Sequence, residues 1–200
     1  MRFIFLLAIN LCLLLPMGIS QQIPPPAFTV SYYSEYFVHY GLKGGIEYPL
    51  RLKFKEKNKG GELVRTKEKL LFATANLGFY RHPKNHYAVF ILPEIALRKT
   101  KNSGFKSGFF LGLGYLRRFN DGPTFAVDNA GNVQKRALGG ENRLLASFSY
   151  EIGKDWSKSK GVPMAWHIKP TILFSMPHIH TVGLPQLVFD IGISMPLEKT

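Results

Sequence analysis

Alternation with a period of two runs along most of this chain. From Tyr36 the even positions are Tyr36, Val38, Tyr40, Leu42, Gly44, Ile46, Tyr48, Leu50, Leu52 and Phe54, and the odd positions between them include His39, Lys43, Glu47, Arg51 and Lys53. Side chains of an extended strand point alternately to opposite faces, so this spacing predicts a strand with one apolar and one polar face. Six further segments repeat the pattern. Leu71, Ala73, Ala75, Leu77 and Phe79 oppose Thr74, Asn76 and Gly78, and Tyr87, Val89, Ile91, Ile95 and Leu97 oppose Glu94 and Arg98. Phe105, Phe109, Leu111, Leu113 and Tyr115 oppose Lys106, Gly108, Gly112 and Gly114. Leu144, Ala146, Phe148, Tyr150 and Ile152 oppose Arg143, Ser147, Ser149 and Glu151. Met164, Trp166, Ile168, Ile172 and Phe174 oppose His167, Lys169 and Thr171, and Leu187 to Leu197 on the odd positions oppose Gln186, Asp190 and Ser194.

Turn-rich separators at Lys55–Lys67, His82–Asn85, Lys99–Gly104, Asn120–Gly140, Lys154–Gly161 and Met176–Gly183 divide these segments. The fold class expected is all-β. An eighth strand is expected near 27–38, where Phe28, Val30 and Tyr32 alternate and Gly41, Gly44 and Gly45 mark the turn after it. Eight suits the even strand numbers of single-chain outer-membrane barrels.

Alternation alone leaves open which face points outward. A lipocalin-like soluble barrel hides its apolar face, whereas a membrane barrel shows it to lipid and keeps a polar lumen. Three features favour the membrane. Many segments exceed the 9–11 residues that cross a bilayer. The polar face carries both signs, in Glu47, Arg51, Glu94, Arg98, Arg143, Glu151, Lys169 and Asp190, so inward charges could pair in a dry lumen without an apolar core. Tyr36, Tyr48, Tyr80, Tyr87, Tyr115, Trp156 and Trp166 lie near segment ends, where aromatic girdles form.

Residues 1–20 read as a cleaved signal peptide: Arg2, an apolar run from Phe3 to Leu15, then Gly18 and Ser20 before Gln21. The single cysteine, Cys12, falls in that apolar run and excludes a disulfide scaffold or a cysteine-based zinc site. Residues 21–200 form one domain, with 21–27 a proline-rich lead into it. The formal charge of +13 sits in turns and does not form one continuous stripe, so nucleic acid is not expected as a partner.

The signal peptide, the long alternating segments and the glycine-rich Gly108-Phe109-Phe110-Leu111-Gly112-Leu113-Gly114-Tyr115 strand resemble the small outer-membrane β-barrels of the OmpA/OmpX type. Gly41-Leu42-Lys43-Gly44-Gly45-Ile46-Glu47-Tyr48-Pro49-Leu50 is similar to stretches in barrels of that kind. The resemblance spans residues 27–197 and implies an antiparallel up-and-down transmembrane barrel in the cell outer membrane, inserted by the barrel insertion machinery. Many such barrels end in an aromatic residue, whereas this chain ends Met195-Pro196-Leu197-Glu198-Lys199-Thr200.

Consecutive turns of an up-and-down barrel fall on alternate rims. One rim then gathers Lys55, Lys57, Lys59, Lys67, Lys69, Lys99, Lys101, Lys154, Lys158 and Lys160, and the other His82, His86, His178 and His180, with His39 if a turn lies near Gly41. With eight strands the termini share the lysine rim, which is expected to face the periplasm; its lysines read as solvated turns that aid solubility and suppress edge pairing, with phosphate headgroups or a polyanion as the alternative. His178-x-His180 has a spacing compatible with a metal but no nearby carboxylate, and Asp128-Asn129-Ala130-Gly131-Asn132 lacks the alternating ligands of a calcium loop. The latter is expected to be the tip of a small hairpin between Thr124–Val127 and Val133–Arg136. No metal and no cofactor are expected. Ser147 or Ser149 with Glu151 and His167 is the one set that could build a nucleophile and base, but no Gly-x-Ser-x-Gly elbow accompanies it.

The expectation is therefore a monomeric, non-enzymatic outer-membrane barrel, structural or adhesive, with outer loops offered to lipid, lipopolysaccharide or an extracellular partner and a lumen plugged by charge pairs. A lipid-modifying enzyme (a lipid A deacylase or acyltransferase) and a soluble carrier are the alternatives. The carrier would line a cavity with Leu113, Phe148 and Ile191 and expose Glu94 and Arg143.

Overall fold

A computed structural model describes residues 23–59, 62–127, 131–136, 139–176 and 184–197. The expected signal peptide, Cys12, His178, His180 and residues 128–130 lie outside these. The barrel strands are β1 (Ala27–Glu35), β2 (His39–Lys59), β3 (Glu62–His82), β4 (His86–Lys101), β5 (Phe105–Asn120), β8 (Gly140–Asp155), β9 (Ala165–Met176) and β10 (Leu184–Pro196). They close in the order β1-β10-β9-β8-β5-β4-β3-β2, every neighbour antiparallel. The short strands β6 (Thr124–Val127) and β7 (Val133–Arg136) form the separate hairpin expected in the longest loop, and a one-turn helix α1 (Ser157–Lys160) sits between β8 and β9. The two ends of the barrel meet where Leu197 N–H donates to Pro26 O at 2.8 Å.

The apolar face points outward. Leu42, Leu77, Ile91, Ile95, Leu111, Leu113, Leu144 and Ile191 are all exposed around the wall, whereas Glu47, Glu94, Arg98, Arg143, Glu151, Lys169 and Asp190 are buried in the lumen. A water-soluble barrel would reverse this, because exposing such a continuous apolar belt to water is unfavourable. The chain is an up-and-down transmembrane β-barrel. Leu113, Phe148 and Ile191 face away from the interior, so the carrier arrangement is not the one formed.

Four expectations are corrected. The glycines at 41, 44 and 45 lie inside β2, and the turn is Tyr36-Phe37-Val38, with positive φ at Tyr36 (51°) and Phe37 (62°). Left-handed backbone is costly for residues with a Cβ, and here contacts hold it. Tyr36 Oη donates to Pro185 O at 2.9 Å, and the Phe37 ring stacks on Phe189 at 4.2 Å. Secondly, a register shift between Pro49 and Arg51 inserts Leu50 as an unpaired residue, so the phase flips: Arg51 and Lys53 face out and Leu52 faces in. The separator at Lys55–Lys67 is mostly strand, since β2 runs to Lys59 and β3 starts at Glu62. Finally, Tyr80 is not a girdle residue; its side chain is buried in the lumen, 1% exposed.

Candidate functional site

The lumen is stacked in layers, and charge pairs alone do not fill it. Following β4 inward from the 83–85 turn, the inward residues are His86, Ala88, Phe90, Leu92, Glu94, Ala96, Arg98 and Thr100. Each begins or continues a layer to which the other strands contribute. Beneath the His86 rim, Tyr33, Tyr80, Phe90, Leu116, Leu145 and Leu173 form an apolar cluster. Tyr33 packs on Tyr80 at 5.8 Å and on Phe90 at 5.0 Å between ring centroids. The large rings fit because glycine faces them: a Cβ on Gly78 would stand 2.1 Å from Phe90 Cζ.

The next layer is ionic. Lys169 Nζ donates to Glu94 Oε2 at 2.8 Å and stands 4.0 Å from Asp190 Oδ2, which also accepts from Lys43. Asn76 Nδ2 donates to Glu94 Oε2 at 2.9 Å, and Thr74 Oγ1 donates to the same oxygen at 3.2 Å. Below lies a second apolar layer of Phe72, Ala96 and Phe110. It receives cations on both sides, with Lys169 Nζ 4.4 Å from the Phe110 centroid and Arg98 Cζ 4.3 Å from that of Phe72.

A second ionic layer follows. Arg98 donates through Nη1 and Nη2 to Glu47 at 2.6 Å each, and through Nε and Nη2 to Glu151 at 2.8 and 2.9 Å. Lys106 Nζ lies 3.8 Å from Glu151 Oε1. Each layer balances two cations with two carboxylates: Lys43 and Lys169 with Glu94 and Asp190, Arg98 and Lys106 with Glu47 and Glu151. That neutrality is what makes burial tolerable, because an unmatched charge in a dry lumen would be strongly destabilising. Where the upper apolar cluster meets the first ionic layer, a void of about 10 Å³ lies among Tyr33, Lys43, Phe90, Glu94 and Asp190, room for no more than about one water.

At the lysine rim the barrel opens into a cavity of about 620 Å³, lined among others by Leu52, Leu70, Phe72, Arg98, Lys106 and Met164. At the opposite rim His39, His82 and His86 come together, and β9 ends and β10 begins at the same rim. Sorting the turns by rim anticipated that grouping. It could not show that the three rings touch, because contact depends on cross-strand register.

Ser147, Ser149, Glu151 and His167 are all buried in the lumen. Ser149 Oγ accepts from Thr171 Oγ1 at 2.8 Å, both Glu151 oxygens are held by Arg98, and Ser147 Oγ and His167 Nδ1 have no hydrogen-bond partner. The strands bring these side chains to one wall without joining them as nucleophile, base and orienting acid.

No family model matches the chain, and no curated protein matches it. Solved structures similar to it include the outer membrane enzyme PagL, at 7% identity over 86% of this chain and 99% of that one, with a TM-score of 0.48. The N-terminal β-barrel domain of Pseudomonas aeruginosa OprF is similar at 11% identity, covering 87% of this chain and 98% of that one, with a TM-score of 0.48. The β domain of the Bordetella autotransporter BrkA follows at 10% identity, 86% of this chain, 70% of that chain and a TM-score of 0.41.

Proposed function

We propose that the chain is an exported, non-enzymatic barrel of the bacterial outer membrane that acts as a fixed scaffold for its surface loops. One observation carries this reading: an apolar outer wall surrounds a lumen filled by neutral ionic layers and aromatic plugs. A lumen so filled does not favour a solute channel, and Ser147, Ser149 and His167 are buried away from the apolar outer wall that lipid would touch. Function then falls to the rims. The β6–β7 hairpin supports a binding role, since its Phe125, Val127 and Val133 are exposed on a loop outside the barrel wall. Residues 1–20 would direct export and be removed, and lipid or lipopolysaccharide would surround the barrel as a monomer.

The test is fractionation followed by gel mobility, with and without boiling. A protein in the outer-membrane fraction whose mobility changes on boiling is the expected result, with no solute flux through reconstituted vesicles. A freely soluble periplasmic protein, or steady flux through the wild-type barrel, would overturn the scaffold reading. Ser149→Ala and His167→Ala should leave the cell's lipid A profile unchanged.

A further inference from the structure

Four inward-facing side chains form a row across four adjacent strands at the histidine rim. Register pairs Glu35 of β1 with His39 of β2, and His82 of β3 with His86 of β4; the β2–β3 ladder ends at Tyr40 opposite Arg81, which sets His39 beside His82. Ring centroids are 3.8 Å apart for His39 and His82, 5.2 Å for His82 and His86, and 6.5 Å for His39 and His86. His39 Nδ1 lies 3.2 Å from Glu35 Oε2. With the carboxylate ionised the ring donates there, which leaves Nε2 as a free lone pair. His86 is 5% exposed, and neither of its ring nitrogens has a hydrogen-bond partner. Buried polar atoms are nearly always satisfied, so two idle nitrogens beside two other imidazoles call for a ligand.

We propose that His39, His82 and His86 bind a divalent transition metal of the zinc class, with Glu35 orienting His39 from behind. Zinc takes imidazole nitrogen at about 2.0–2.1 Å in a tetrahedral shell, which places neighbouring ring centroids about 5 Å apart. The observed separations straddle that value. As the rings stand, no three such groups among the described residues converge on one point, because His39 and His82 are stacked. Metal binding therefore requires His39 and His82 to leave their stacked arrangement. The carboxylate–histidine–metal chain this creates is the usual way a protein fixes the tautomer of a ligand.

Charge around the row is mixed. Arg118 and Arg143 act on His86 from β5 and β8, and oppose a cation. Glu35 and Glu141 offset them, the latter accepting from Arg143 Nε at 3.0 Å. Arg118→Gln should therefore tighten metal binding severalfold.

The test uses the folded barrel in detergent micelles, its fold verified by the boiling-dependent mobility shift. Zn²⁺ is titrated in competition with a chromophoric chelator, and Co²⁺ serves as a visible probe of coordination. One equivalent of metal is expected, with the intense Co²⁺ absorption of a tetrahedral site. His82→Ala and His86→Ala should weaken Zn²⁺ at least tenfold, and Glu35→Gln by about 10–100-fold. Absence of binding by a folded barrel overturns the site, and so does binding that survives both His82→Ala and His86→Ala. Should His86→Ala fail to fold, His86→Gln keeps a polar group in the same place and is read in the same way.

Discussion

A guanidinium at the centre of a barrel is stable only with its acids beside it. Arg98 donates to both Glu47 and Glu151 and lies over the Phe72 ring. Arg98→Met keeps much of the volume but strands two buried carboxylates with only Lys106 near one of them. Removing one partner of a buried pair costs about 3–5 kcal/mol, so the urea midpoint of refolded Arg98→Met should fall markedly. Glu94→Lys should be comparably harmful, since it faces Lys169 and Lys43, and adding Lys169→Glu should recover part of the loss. If Glu94→Lys unfolds at the wild-type midpoint, the upper ionic layer is not a buried network. Glycine sets the same kind of limit sterically. Gly78→Val drives a side chain into the Phe90 ring and should lose about 1–3 kcal/mol. The outward Gly44, whose nearest neighbour is 3.8 Å away, should accept valine with little change. Equal midpoints for the two variants would sink the packed-lumen account.

Along the strands, most inward and outward positions were readable because one face is apolar and the other carries charge. That holds for β4, β5, β8 and β9, where each expected face agrees with the burial found. It failed in β2, where Leu50 is an extra residue and the alternation changes phase. Leu50, Leu52 and Phe54 continue the apolar rhythm of Ile46 and Tyr48 and so conceal the phase change; the one residue-type signal is Pro49 beside it, which has no N–H for the ladder and is tolerated at bulges. The turn before β2 was hidden for a related reason. Tyr36 and Phe37 adopt left-handed backbone that sequence reasoning assigns to glycine, and contacts from β10 hold them there. With the turn misplaced, the Glu35–His39–His82–His86 row was out of reach, although the rim itself was foreseen. The phase change is testable by single-cysteine scanning, because the only native cysteine, Cys12, lies in the segment expected to be cleaved. A lipid-soluble thiol reagent should label cysteines at 42, 46 and 48, then at 51 and 53, and spare 43, 47 and 52. Labelling at 52 with protection at 51 would mean that β2 carries no bulge.

As a whole molecule, the barrel has two unlike ends. Strands of 21 residues in β2 and β3 reach about 70 Å, well beyond the 9–11 residues that a tilted strand needs to cross a bilayer. Their hairpin therefore projects from the lysine rim, on the side where both barrel ends meet. Outer-membrane barrels with an even strand number keep their termini in the periplasm, so the basic hairpin should reach inward and the histidine row should open to the medium. Lys53, Lys55, Lys67 and Lys69 suit phosphate headgroups at either face, so the orientation rests on the termini and is read by labelling. An epitope inserted at 131–132 in the β6–β7 hairpin should bind antibody on intact cells. The same epitope at 60–61 should be reached only after the outer membrane is permeabilised. The opposite pattern would turn the barrel over, placing the histidine row in the periplasm and the lysine hairpin at the cell surface. The metal proposal would survive that inversion, because it depends on cross-strand register and not on side; the assignment of surface loops to the histidine rim would not.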